Sequence, residues 1–173
     1  WVDIMEQQVM IFDPATGDNR AISTGSDVGT VVQRESGGAM IAVRDGFASL
    51  DLETGAVEMV AEQKVDGVRF NDGKCDPQGR FWAGTMAYDS TEGAGSLYLI
   101  DADFSVRTMI ESVSISNGLV WTSDRQTFYY IDSPTHQVQA FDYDDVTGDI
   151  SNHRIAIEID GEEYGAPDGM TID

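Results

Sequence analysis

The feature that most constrains this chain is a repeat. An apolar residue, an aspartate and then Thr-Gly recur at Phe12-Asp13-Pro-Ala-Thr16-Gly17 and Leu50-Asp51-Leu-Glu-Thr54-Gly55, and again where Phe141-Asp142 leads to Thr147-Gly148. Ile100-Asp101 fits the pattern without its Thr-Gly. Successive aspartates stand 38, 50 and 41 residues apart, the length of a propeller blade and about twice that of a leucine-rich repeat. Each D-x-x-T-G reads as a hairpin turn between outer strands.

A second element precedes each of these: a strand, a polar turn and another strand, as in Val31 to Val43, Gly73 to Ala83 and Leu119 to Ile131. In Asp76-Pro77-Gln78-Gly79 the turn has a mechanism, because proline presets φ at the second position and glycine accepts a positive φ. The flanking strands are aromatic and β-branched, as a pleated, half-buried surface prefers. Each unit therefore holds roughly four short strands, and no stretch shows a sustained helical period. The 18 glycines against four prolines fit many short strands joined by glycine turns. The expected fold is all-β, a propeller. Propellers typically have four to eight blades, so 173 residues supply about three to four of them, in one partial domain over residues 1–173 with an unclosed ring.

Charge excludes several partners. With 31 acidic against 10 basic residues, the formal net charge is -21 and the pI about 4.1, so nucleic acid and anionic membrane are poor partners. The acids are scattered and form no tail, which reads as a solvated surface; high-salt adaptation or cation attraction are the alternatives. Cys75 is the only cysteine, so no internal disulfide forms, and His136 and His153 are too far apart for a zinc motif. No apolar run approaches a membrane span, and no start resembles a signal peptide. The chain begins mid-pattern at Trp1 and stops mid-pattern at Asp173. The expectation is a piece cut at both ends, its native N-terminus upstream, its compartment open with the cytoplasm favoured.

Chemistry is expected at three Asx-Gly steps, each placed just before an inner strand: Arg69-Phe-Asn71-Asp72-Gly73, Ser116-Asn117-Gly118 and Pro167-Asp168-Gly169. Asn71 to Asn117 is 46 residues and Asn117 to Asp168 is 51, the blade period again. Equivalent positions on successive inner strands converge on a propeller's central channel, so three oxygen-bearing side chains would face one point. That suits a hard cation such as calcium. Asn-Gly and Asp-Gly are also strong hairpin-turn dipeptides, and the turn reading stays open for each taken alone. Arg69 lies two residues before Asn71 and so on the same strand face, where it could bind substrate oxygens; a surface ion pair is the equal alternative. Asp89 follows the Phe81 to Met86 strand and could line the mouth, or be a solvated loop acid. His136 and His153 read as surface residues, and Asp132 as a structural residue of its blade.

These residues resemble the regucalcin and gluconolactonase family of senescence-marker-type proteins. The resemblance rests on Arg69 to Met86, Ile115-Ser-Asn-Gly-Leu-Val-Trp121, Phe128 to Ser133, Phe141-Asp-Tyr-Asp144 and Pro167 to Asp173. It implies a six-bladed propeller with a divalent metal in the central channel, usually calcium, that hydrolyses sugar lactones. By resemblance Asn117 and Asp168 match metal ligands, with Asp168 also the proton-transfer residue, and Arg69 and Asn71 match substrate-binding positions. Asp89 falls where some relatives carry a glutamate that touches the sugar. A further metal-binding glutamate would lie upstream of Trp1, and the last two blades would follow Asp173.

The leading expectation is thus a metal-dependent sugar lactone hydrolase using calcium, zinc or manganese, with little activity in the 173 residues alone. A non-catalytic calcium-binding propeller and a phosphoester or organophosphate hydrolase are the rivals. Open blade edges would favour self-association.

Overall fold

Turn chemistry divides the chain into hairpins. The computed structural model describes residues 1–173 and is 53% strand and 4% helix. A three-stranded sheet comes first: β1 (Val2–Asp3), β2 (Gln8–Phe12) and β3 (Asn19–Ser23). Next are β4 (Val28–Gln33), β5 (Ala39–Val43), β6 (Gly46–Leu50) and β7 (Val57–Glu62), then β8 (Val68–Cys75), β9 (Phe81–Ala87), β10 (Gly95–Ile100) and β11 (Val106–Val113). The last sheet comprises β12 (Ser116–Trp121), β13 (Thr127–Asp132), β14 (Gln137–Tyr143) and β15 (Ile150–Glu158), followed by the single-turn helix α1 (Gly161–Tyr164). Strands pair antiparallel and in chain order within each sheet, which is the blade of a propeller; the whole is a partial propeller.

The repeating aspartates close the outer hairpins. Asp13 and Asp51 sit at the β2–β3 and β6–β7 turns, each accepting from a glycine four residues on, Gly17 at 2.8 Å and Gly55 at 2.9 Å, and both glycines have positive φ. In the last sheet this position belongs to Asp144 rather than Asp142. Gly148 N donates to the Asp144 carbonyl at 2.8 Å, and the Asp144 carboxylate accepts from Val146 and Thr147 amides. Asp142 lies in β14 and pairs with Arg154 at 2.7 Å. Phe-Asp-Tyr-Asp offers two aspartates, and the turn takes the one at the four-residue distance its glycine requires.

Blades stack through three apolar layers. Val9 and Ile22 meet Val28, Ile41 and Leu50 between the first two sheets. Met40 and Phe47 meet Phe70, Phe81 and Tyr98 between the next pair. Trp82, Leu97 and Leu99 meet Trp121, Phe128 and Tyr130 in the third. Strand alternation explains the division: in β9, Phe81 and Ala83 face one layer while Trp82 faces the other, because successive side chains point to opposite faces. Aromatic edges lock the layers, with Phe47 and Phe70 centroids 5.1 Å apart and Trp82 and Trp121 5.4 Å apart.

A buried polar tie joins the last two blades at the end opposite the Asx-Gly steps. The Asp76 carboxylate, at the Asp-Pro-Gln-Gly turn, accepts from Arg80 Nε at 2.6 Å, Trp82 Nε1 at 3.1 Å and the Tyr143 hydroxyl at 2.8 Å. Arg80 continues to the Asp145 and Val146 carbonyls. Asp132 acts within its own blade, as its sequence context suggests, accepting from the amides of Ser114 and Ile115.

Candidate metal centre and channel

The first strand of each four-stranded sheet lies innermost, β4 against β8 and β8 against β12. All three carry a bulge in the same region. Pairing with the second strand slips between Val28 and Thr30, between Phe70 and Asp72, and between Asn117 and Leu119. The extra residues are Gly29, Asn71 and Gly118. The Asx-Gly steps of β8 and β12 therefore lie inside innermost strands, not before them, and they are not hairpin turns. Neither Gly73 nor Gly118 has a positive φ. Gly118 serves close approach instead: a Cβ there would lie 2.7 Å from the Asp168 carbonyl oxygen.

The 46-residue spacing brings Asn71 and Asn117 together without making them equivalent, since Asn71 is a bulge residue and Asn117 precedes one. Asn71 Nδ2 donates to Asn117 Oδ1 at 3.1 Å and to the Ser116 carbonyl at 2.9 Å. Asn117 Nδ2 donates to Ser133 Oγ at 2.6 Å, and Ser133 Oγ donates to the Pro167 carbonyl at 2.6 Å. Ser133 thus turns the amide of Asn117 so that its oxygen lies on the Asn71 side. That oxygen keeps a second lone pair.

Asp168 comes from a segment without regular structure after α1. It is fastened beside β12 by Gly118 N, which donates to the Asp168 carbonyl at 3.2 Å, and by Lys74 Nζ, which donates to the Met170 carbonyl at 2.9 Å. Asn71, Asn117 and Asp168 line one cavity of about 510 Å³, together with Asp72 and the apolar Val2, Ile4 and Ile115. Arg69 is absent from this lining and reaches it through Asn71, donating through Nη1 to Asn71 Oδ1 at 2.8 Å and to the Phe70 carbonyl at 3.0 Å.

Asp89 is elsewhere. It is exposed after β9, its carboxylate accepts from the Thr91 amide and hydroxyl at 3.0 and 2.7 Å, and these bonds hold its pKa below the usual carboxylate value. It is absent from the lining of the Asn71–Asn117–Asp168 cavity.

Asp72 is a cavity residue that sequence reasoning passed over. Alternation along a strand sends residues next to each other to opposite faces, so Asn71 and Asp72 should part. The bulge breaks the alternation, and both line the cavity. The Asp72 carboxylate accepts the Gly73 amide at 2.7 Å. Burial pushes its pKa up, against the Gly73 bond and Lys74, and the nearby Asp168 charge pushes it further. The only local signal was the carboxylate itself, in Asn-Asp-Gly.

Amide and carboxylate oxygens are the donors that hard divalent cations take, so Asn117, Asp168 and Asp72 fit such an ion, whereas Asn71 turns its oxygen to Arg69 and its amide nitrogen to Asn117. No group of three or more His, Cys, Asp or Glu side chains is assembled to hold a metal; an ion here would rest on amides and carboxylates together.

The family description SMP-30/Gluconolactonase/LRE-like region matches residues 1–173. The chain is 42% identical over 180 residues to regucalcin of Xenopus laevis, covering 100% of this chain and 60% of that protein. It is 38% identical over 175 residues to YvrE of Bacillus subtilis, a protein whose name assigns it provisionally to the sugar lactone lactonases, again with 100% and 60% coverage. Among solved structures, a regucalcin of Agrobacterium tumefaciens described as calcium-binding superposes with a TM-score of 0.90 at 27% identity, covering 96% of this chain and 57% of that one. The chain spans about 60% of the length of the curated relatives it matches.

Proposed function

Since the chain belongs to the SMP-30/gluconolactonase/LRE-like family, we propose that it is the channel-bearing part of a divalent-metal-dependent sugar lactone hydrolase. The observation that carries this reading is the meeting of Asn71, Asp72, Asn117 and Asp168 in one cavity. Asn117 Oδ1 and the Asp168 carboxylate would hold the cation, calcium before zinc or manganese, which when bound supplies Lewis-acid polarisation of the lactone carbonyl.

The remaining work falls to side chains. Asp168 makes no hydrogen bond through its carboxylate, which leaves it free to take a proton from the attacking water and return it to the leaving ring oxygen. Arg69 and Asn71, already bonded to each other, orient the hydroxyl groups of the sugar at the edge of the cavity. Val2, Ile4 and Ile115 supply the apolar part of the lining, against which the carbon face of the ring can rest.

The test uses the full-length protein with calcium, zinc or manganese supplied. Asp168→Ala should abolish turnover of glucono-δ-lactone while leaving the melting temperature near that of the wild type. Turnover surviving in the variant would overturn the mechanism. A phosphotriester panel run alongside should show no comparable hydrolysis.

A further inference from the structure

The segment that carries Asp168 has no strand or helix of its own, so its place is set by what binds its backbone. Three of its carbonyls are taken by donors from three separate elements. Pro167 accepts from Ser133 Oγ at 2.6 Å, Asp168 from the Gly118 amide at 3.2 Å and Met170 from Lys74 Nζ at 2.9 Å. Of the three donors, only Ser133 also bonds the side chain of the other proposed ligand, because Asn117 Nδ2 donates to the same Oγ at 2.6 Å.

Ser133 opens the 3-10 turn Ser133–Thr135 that follows β13, and it is 6% exposed. Its hydroxyl has one proton. A carbonyl can only accept, so that proton goes to Pro167, and the atom of Asn117 that faces Ser133 has to be the amide nitrogen. The far end of the network forces the same answer. Arg69 can only donate, so Asn71 meets it with Oδ1 at 2.8 Å, turns Nδ2 to Asn117, and is met there by Oδ1 at 3.1 Å.

A donor-only group at one end and an acceptor-only group at the other leave a single direction in which every bond is made, from Arg69 through Asn71, Asn117 and Ser133 to Pro167. Reversing the Asn117 amide would set nitrogen against nitrogen at Asn71, and oxygen against a hydroxyl with no spare proton at Ser133. The same hydroxyl that fixes the Asn117 amide therefore also holds the residue before Asp168, and both Asn117 and Asp168 line the cavity.

We propose that Ser133 is a positioning residue for the cation: its hydroxyl fixes the Asn117 oxygen and the Asp168 segment relative to each other, and cation affinity depends on it. The inference rests on the reading of Asn117 and Asp168 as the residues that hold the ion. Groups locked in place before the ion arrives need not be ordered on binding, and partners that stand behind metal ligands are typically worth about 10–100-fold in affinity.

Calorimetric titration of the full-length protein with calcium, after removal of metal by a chelator, tests this. Ser133→Ala should raise the calcium dissociation constant by roughly 10–100-fold. Ser133→Cys fills similar space with a weak donor and weak acceptor, and should raise it by at least about fivefold even where the alanine variant folds poorly. Ser116→Ala is the control for packing alone. Its hydroxyl is buried one residue before Asn117 and accepts from the Tyr130 hydroxyl at 2.8 Å, with no bond to Asn117 or to the Asp168 segment. That variant should lower the melting temperature and leave the dissociation constant within about twofold of the wild type. Unchanged affinity in Ser133→Ala and Ser133→Cys, or a comparable loss in Ser116→Ala, would overturn the role of Ser133 while leaving the cation reading intact. A wild-type protein that binds no calcium, zinc or manganese would overturn that reading, and the proposal with it.

Discussion

At the scale of single residues, this site depends on one local irregularity. The extra residue in β8 at Asn71 carries Asp72 into the cavity beside Asp168, where two carboxylates repel until a cation arrives. Asp72→Asn should therefore weaken calcium binding to the full-length protein by roughly 10–100-fold, read by calorimetric titration; unchanged affinity would remove Asp72 from the cation's surroundings. That Asn71, Asn117 and Asp168 share one cavity was legible from their identity and blade-period spacing, which are sequence properties. Asp72 was not, because a bulge leaves no mark on the residue's own neighbourhood.

At the scale of elements, turns and ties set the strength of the partial ring. The D-x-x-T-G turns are local hydrogen-bonded units, so they could be read directly, and only the choice between Asp142 and Asp144 went to geometry. The Asp76–Arg80 pair is different in kind. Its side chains are 0% and 7% exposed, and it reaches across to Tyr143 of the next blade. Asp76→Ala would leave the buried Arg80 with neutral partners alone, two carbonyls and the Tyr143 hydroxyl, and a loss of about 3–5 kcal/mol is expected in urea unfolding. The double variant Asp76→Ala/Arg80→Ala should lose less than the sum of the single variants, because each single change already breaks the shared interaction.

For the whole molecule, the imbalance of charge matters most. The basic residues are largely spoken for, as in Arg107 with Asp149, Arg125 with Asp145 and Arg154 with Asp142, so most of the 31 acids have no positive partner. Their mutual repulsion opposes the compact state. Raising sodium chloride from about 0.01 M to 1 M shortens the screening length from roughly 30 to 3 Å and should raise the melting temperature by several degrees in differential scanning fluorimetry. A melting temperature that falls with salt would mean that attractive pairs outweigh the repulsion.

The repeat length, the strand and turn chemistry, the acidic surface and the identities of the channel oxygens all follow from residues close together in the chain, where backbone preferences and alternation act directly. Local rules also misplace the Asx-Gly steps, since the same dipeptides serve hairpins and bulges alike. Which of them bulge, that Asn71 bonds to Asn117, and that the Tyr88 hydroxyl of one blade bonds to Asp27 of its neighbour depend on how one blade settles against the next. That register is set by the apolar layers between sheets, among them Phe47 on Phe70 and Trp82 on Trp121, and packing of this kind joins residues too far apart in sequence for any local pattern to record.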